Sequence, residues 1–393
     1  MSFSSSLALF KVPSFTPALL AILCSVLAEA VGFSYMALLA VEKIGMSPLE
    51  LSAFLTLSAI SGIAVTTVFG HLHDRRPVLW PLFVSLGAKV LAFGLCAVLT
   101  QGWMLIAVAV ALFGPSSASF ALMFAMAKGF LDRVGGETVS RGMASLRVAS
   151  SLSWAIGPAL GAALVAGWSF TGVFVGAALL SALALVVVFT SRIKVVPAAT
   201  EERQRITPGV VLAAAPAVIA MTAFHTSMFM GSNAMSIVVA RELGSETDVG
   251  LLFSLCAALE VVVMGLFVVR PMRKASTGLL AFGFLLFAGY FIMAIFWPTL
   301  LSLYLGQILR AAGIGILSVV GMAYVQELLP GRAGVASALF GNTMSAGGLL
   351  SGLGTGLFAE AFGYWSIFSV CAALCLVGAA VLFVPSRQST EAA

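Results

Sequence analysis

Apolar runs of about twenty residues recur along the whole chain, separated by short polar stops. Wound as a helix, a run of this length spans a hydrocarbon core of roughly 30 Å. The stretch "FSLCAALEVVVMGLFVV", residues 253–269, is representative, and Glu260 is its one charged residue. The pattern predicts twelve membrane helices: 17–41, 49–71, 78–100, 103–128, 141–167, 169–190, 209–240, 247–269, 275–296, 299–324, 333–361 and 363–384. Gly and Pro fall inside several of them, which is tolerated where neighbouring helices support the backbone. The long polar connection "SRIKVVPAATEERQRITP" separates six runs from six. The expected organisation is a six-helix bundle over 1–190, a cytoplasmic linker over 191–208 and a second six-helix bundle over 209–393.

The two halves carry related sequences. "IGMSPLELSAFLTLSAISG" at 44–62 parallels "LGSETDVGLLFSLCAALEV" at 243–261, so that Gly45 meets Gly244, Phe54 meets Phe253 and Ser61 meets Glu260. "SRGMASLRVASSLSWAIGPALG" at 140–161 parallels "GRAGVASALFGNTMSAGGLLSG" at 331–352, aligning Arg141 with Arg332, Gly157 with Gly348 and Gly161 with Gly352. Paired six-helix repeats are the signature of a transporter whose substrate site lies near the bilayer midplane. Glu260 and Arg147 are present in one half only.

Composition sharpens this picture. Of the 393 residues 61% are hydrophobic and 9% charged, with a mean hydropathy of +1.12. Soluble domains carry roughly 25% charged residues, so the chain reads as an all-α polytopic membrane protein. Its pI of about 9.1 does not point to nucleic acid, because the basic residues sit in short loops between apolar runs. Of the 20 Lys and Arg, only Lys43 and Arg241 fall in loops on one side; Lys89, Arg147 and Arg310 fall within spans, and the remainder lie on the other side. That bias places both termini in the cytoplasm. The first run is too long for a cleaved signal peptide and is followed by many more. Trp80, Trp103, Trp168, Trp297 and Trp365 lie near predicted span ends, as an interfacial belt requires; Trp154 does not, and is expected to face protein. The five cysteines show neither metal-ligand nor disulfide spacing and read as packing residues.

Enzymatic classes find little support. The chain has no Walker A loop, hydrolase triad or zinc motif, so no cofactor is expected. The Gly-rich run "GNTMSAGGLLSGLGTGLF" at 341–358 suits close helix packing rather than nucleotide binding.

The sequence resembles the major facilitator superfamily. "GHLHDRRP", with Gly70, Asp74, Arg75 and Arg76, is similar to the superfamily's cytoplasmic loop motif, in which Gly packs helices closely and the charges stabilise a gate. This copy lacks a second Gly, and Pro77 follows the arginines early. "SWAIGPALGAAL" is similar to the Gly-Pro motif of superfamily antiporters through Gly157, Pro158 and Gly161, although Ser153 and Ala162 stand where Gly is usual. A closer resemblance is to the bacterial sugar efflux transporters, carried by "VEKIGMSP", "LRVASSLSWAIGPAL", "LGSETDVGLLFSLCAALE" and "YVQELLPGRAGVASALF". It implies proton-driven export of sugars, glycosides or similar small polar molecules across a bacterial inner membrane, by a monomer whose two bundles alternate in access. A multidrug efflux antiporter, taking drug-like amphipathic compounds, is the alternative.

An acid at the centre of a span costs about 2.5–3.5 kcal/mol on insertion scales, so such groups face a cavity or a partner. Glu260 and Glu29 are the two central acids and candidates for substrate binding or proton coupling. Ion pairing between helices is the structural alternative. Small residues flank both: Cys256 and Ala257 one turn before Glu260, and Ser25 and Gly32 on the face of Glu29. Arg310, with Gln307 one turn earlier, is a candidate for cavity lining. Arg147 lies about two turns inside the cytoplasmic end of its span and suits gating or a cytoplasmic charge network. Lys89 is read as a structural or snorkelling residue. The seventh span sets Thr222, His225, Phe229, Asn233 and Ser236 at helical spacing, a polar face with an aromatic platform of the kind sugars need, and His225 could relay protons. Asn342 is a further hydrogen-bonding candidate.

Overall fold

The computed structural model describes residues 8–12, 14–75, 78–191, 214–270, 274–330 and 332–384. Among them lie α1 (Phe15–Lys43), α2 (Pro48–Arg75), α3 (Trp80–Cys96) and α4 (Gly102–Val134). A continuous helix, Glu137–Thr190, follows. It breaks where Trp168 and Ser169 leave helical geometry, giving α5 (137–167) and α6 (170–190). The remaining helices are α7 (215–243), α8 (Glu246–Val269), α9 (Thr277–Phe296), α10 (Leu300–Leu328), α11 (Ala333–Phe362) and α12 (Ser366–Val381). Each corresponds to one predicted apolar run. The third stops at Cys96 rather than 100, and α2 continues to Arg75, so Gly70–Arg75 is a helix end and not a loop. Residues 209–213 of the predicted seventh run and residues 192–208 of the linker lie outside the described residues. Among the described residues, seven helices, with 137–190 taken as one, are long and apolar enough to cross a membrane.

Local chemistry explains how these helices begin and how two of them end. In α2 the Ser47 N–H donates to Glu50 Oε2 at 2.8 Å while Glu50 N–H donates to Ser47 Oγ at 3.3 Å. In α8 the same reciprocal box forms between Ser245 and Asp248, at 2.9 and 3.3 Å. Each box satisfies backbone donors that an exposed helix start leaves open. The repeat extends to the preceding helices: α1 ends in a π-helical segment over Leu39–Lys43, and α7 in one over Val239–Leu243.

The described residues group into two compact units, one drawn from Met1–Gly45, Leu57–Glu201 and Val249–Ser254, the other from Met46–Thr56, Glu202–Asp248 and Leu255–Ala393. In the first, α1 packs along the 137–190 helix, and α3 packs against both that helix and α4. Contact between α1 and α5 depends on small residues. A Cβ at Gly157 would collide with Ala30, and one at Gly161 would reach within 2.6 Å of the Tyr35 ring. Phe15, Ile22, Leu86, Met123 and Leu146 belong to its apolar core. Trp154 is 42% exposed, against the expectation that it faces protein; the close contact with α1 runs through the small residues Ser153, Gly157 and Gly161, which leave no room for an indole ring. In the second unit α7 packs on α11 and α12, and α9 on α10 and α12.

Candidate functional site

The second unit holds a polar cluster at the centre of otherwise apolar helices. Arg310 on α10 is 4% exposed. Its Nη2 donates to Ser232 Oγ on α7 at 2.7 Å, and its Nη1 to Gln307 Oε1 at 3.2 Å. Nη1 also lies 3.4 Å from Met235 Sδ, and the guanidinium stands 5.7 Å from the Tyr290 ring centroid on α9. Gln307 is fully buried, and its amide donates to the Leu303 carbonyl at 3.0 Å, which fixes the orientation of its oxygen toward Arg310. Glu260 on α8 interacts electrostatically with Arg310. Its Oε1 accepts from Cys256 Sγ at 3.2 Å, one turn back on the same helix. The planar fork of Arg310 thus has donors committed to α7 and α10 while its charge answers a carboxylate on α8.

In the first unit Glu29 and Lys89 form an ion pair between α1 and α3. Lys89 is 1% exposed, and its Nζ also donates to Ser25 Oγ at 2.8 Å. Lys89, read from the sequence as a structural residue, is therefore the partner of a candidate site acid. At the place corresponding to Glu260, Ser61 donates to the Val110 carbonyl on α4 at 2.7 Å. Val110 lies in a π-helical segment, Ala109–Phe113.

His225 is buried, with Nδ1 3.1 Å from Thr343 Oγ1 on α11 and its ring set edge-on to Phe340. It joins α7 to α11 and does not meet the Arg310 cluster through any bond among the described residues. Phe229 and Asn233 are half-buried on α7, and Asn342 is exposed on α11. Arg147 is exposed and makes no ion pair with another described residue. Gly157 and Pro158 are both buried. A Cβ at Gly70 would meet nothing within 4 Å among the described residues. Arg75 is exposed, while the Asp74 side chain and Arg76 lie outside the described residues. Among the described residues no group of three or more His, Cys, Asp or Glu could hold a metal ion.

Sequence reasoning missed Ser232 and Tyr290. Ser232 was signalled only by its place in the polar stretch "GSNAMS" beside Asn233. Tyr290 sits among ten apolar neighbours in "LLFAGYFIMAIF", and only the depth of Arg310 could have called for an aromatic partner there.

Twelve described helices, with the Glu29–Lys89 ion pair buried in the first unit and the Arg310 cluster buried in the second, define an all-α polytopic membrane protein of the transporter class. The family model for the Major Facilitator Superfamily matches residues 18–267 and again 217–393, and the chain belongs to that superfamily. A Deinococcus radiodurans protein named for sugar efflux is 36% identical over 94% of this chain and 97% of its own length. Sugar efflux transporter A of Escherichia coli is 28% identical over 86% of this chain and 87% of its own. A crystal structure of a nucleoside transporter shares the fold at a TM-score of 0.75 and 12% identity, covering 94% of this chain and 98% of that one.

Proposed function

We propose that the protein is a proton-coupled secondary transporter exporting sugars or sugar-like polar molecules from a bacterial cell. The observation that carries this reading is the near full-length likeness to relatives named for sugar efflux. The cluster around Arg310 has the chemistry such cargo needs: a fixed cationic donor, an amide, a hydroxyl and an aromatic ring, set in apolar surroundings. Phe229, Asn233 and Asn342 are further contacts for cargo on the same unit. Glu260 is the proton-coupling group, because a carboxylate facing Arg310 exchanges a proton against a change in local charge balance. Alternating access of the six-helix halves 1–190 and 209–393, joined by 191–208, moves cargo across the inner membrane, with both termini in the cytoplasm and a monomer as the working unit. Gly157, Pro158 and Gly161 are close-packing elements of that motion, and Asp74, Arg75, Arg76 and Arg147 its cytoplasmic charges.

The test uses full-length protein in proteoliposomes under an imposed pH gradient. Flux of D-glucose or methyl-β-D-glucoside that collapses with the gradient supports the reading. Flux of ethidium without any sugar flux assigns the protein to drug efflux instead.

A further inference from the structure

We propose that Lys89 is a positioning residue and that α1 carries a subsite for a polyhydroxylated ring, built from Glu29 and Phe33. The inference rests on the sugar reading above and adds residues that it does not include. Lys89 clamps Glu29 through Oε1, and Ser25 holds the same ammonium at 2.8 Å. Two bonds to a cation that is 1% exposed fix it in place. Glu29 itself is 17% exposed, and its Oε2 accepts no hydrogen bond from any other described residue. The clamp therefore turns one oxygen inward and leaves the other presented at the helix surface.

An open carboxylate oxygen at bilayer depth belongs on a wet face rather than a lipid-facing one. Phe33 lies one turn further along α1, on the face of Glu29. Its ring is 42% exposed, although the rings around it are buried: Phe93 stands edge-on at 5.7 Å and Phe113 at 5.5 Å. The absence of a side chain at Gly32 makes this possible, since a Cβ there would run into the Phe93 ring. The result is an aromatic surface locked from behind beside an oriented acceptor. Sugar rings are recognised by that combination: apolar C–H faces settle on an aromatic ring while hydroxyls donate to a fixed carboxylate oxygen. Lys89 touches no cargo in this arrangement and acts through the orientation of Glu29.

The experiment measures counterflow of D-glucose and methyl-β-D-glucoside by reconstituted full-length protein, separating half-saturation concentration from maximal rate, with thermal unfolding as a check on folding. Phe33→Ala is expected to raise the sugar half-saturation about five- to tenfold while the unfolding midpoint stays near wild type, and Phe33→Trp to restore it. Lys89→Met is expected to raise it about tenfold or more, with Lys89→Arg keeping the clamp and the affinity. Should Lys89→Met not fold, the uncharged pair Glu29→Gln with Lys89→Met decides, and a folded double variant with weakened sugar affinity supports the subsite. A Phe33→Ala protein, or a folded double variant, with wild-type half-saturation overturns the inference. Absence of sugar counterflow in the wild type, with ethidium transported, overturns the sugar reading itself and is thereby told apart.

Discussion

Ser61 donates its hydroxyl to the Val110 carbonyl, where the second half of the chain sets Glu260, a carboxylate within electrostatic reach of Arg310. One half closes the α2–α4 contact with a short neutral bond. The other sets a carboxylate on α8 and, within its electrostatic reach, a guanidinium on α10. The internal repeat is therefore broken in charge at this position: a hydroxyl in the first half stands where the second half has a carboxylate.

Arg310→Met is expected to destabilise the protein by about 3–5 kcal/mol, since it strands the Glu260 charge and removes the donor to Ser232. A lowered unfolding midpoint checks this. Arg310→Lys keeps the charge but loses the planar fork that serves Ser232 and Gln307 together, so its transport falls well below wild type while its stability lies between the two.

Glu260→Gln keeps an oxygen for the Cys256 thiol and loses the charge facing Arg310. Uphill sugar flux driven by a pH gradient is expected to be lost, while sugar counterflow without a gradient continues. Parallel assays on one preparation distinguish the two. Loss of both would make Glu260 a cargo ligand or a structural group, and retention of both would remove it from the mechanism.

Two motif glycines are expected to respond in opposite directions. Gly157→Val drives a side chain into Ala30, and overpacking of this kind costs about 1–3 kcal/mol. Gly70→Ala meets nothing within 4 Å inside a helix and is expected to stabilise by about 0.5–1 kcal/mol. Thermal unfolding of the two single variants side by side provides the measurement.

Thr343→Val removes the hydroxyl beside His225 Nδ1, with an expected loss of about 1 kcal/mol. Because His225 serves the α7–α11 contact, pH-gradient-driven flux per folded molecule should remain near wild type. A large fall in flux at unchanged stability would return His225 to the proton path.

The twelve helices were legible because twenty consecutive apolar residues leave the backbone few alternatives in lipid. The capping boxes, Ser47 with Glu50 and Ser245 with Asp248, went unread although each has the spacing of such a box, because they stand one residue out of register in the aligned repeat. The pairing of Glu29 with Lys89 was not. Those residues come from α1 and α3, and no periodicity within one helix reports what faces it on another. The π-helical segments at Leu39–Lys43 and Val239–Leu243 left no compositional mark, because a wide turn differs from an α turn in hydrogen bonding rather than in residue type. The surroundings of Gly70 were not legible for a related reason: a motif glycine identifies a position, and the letters do not report that a Cβ there meets nothing within 4 Å among the described residues.

The buried pairing of Lys89 with Glu29 also bears on how the protein meets the membrane voltage. Displacing a lone elementary charge through the whole transmembrane field involves work of about 2.3 kcal/mol per 100 mV. A helix bundle whose buried cation travels with its own anion carries almost no net charge through that field. Under the proposed export cycle, electrical sensitivity would then belong to the cargo and to the proton exchanged for it, and reorientation of the empty protein would respond only weakly to a resting potential.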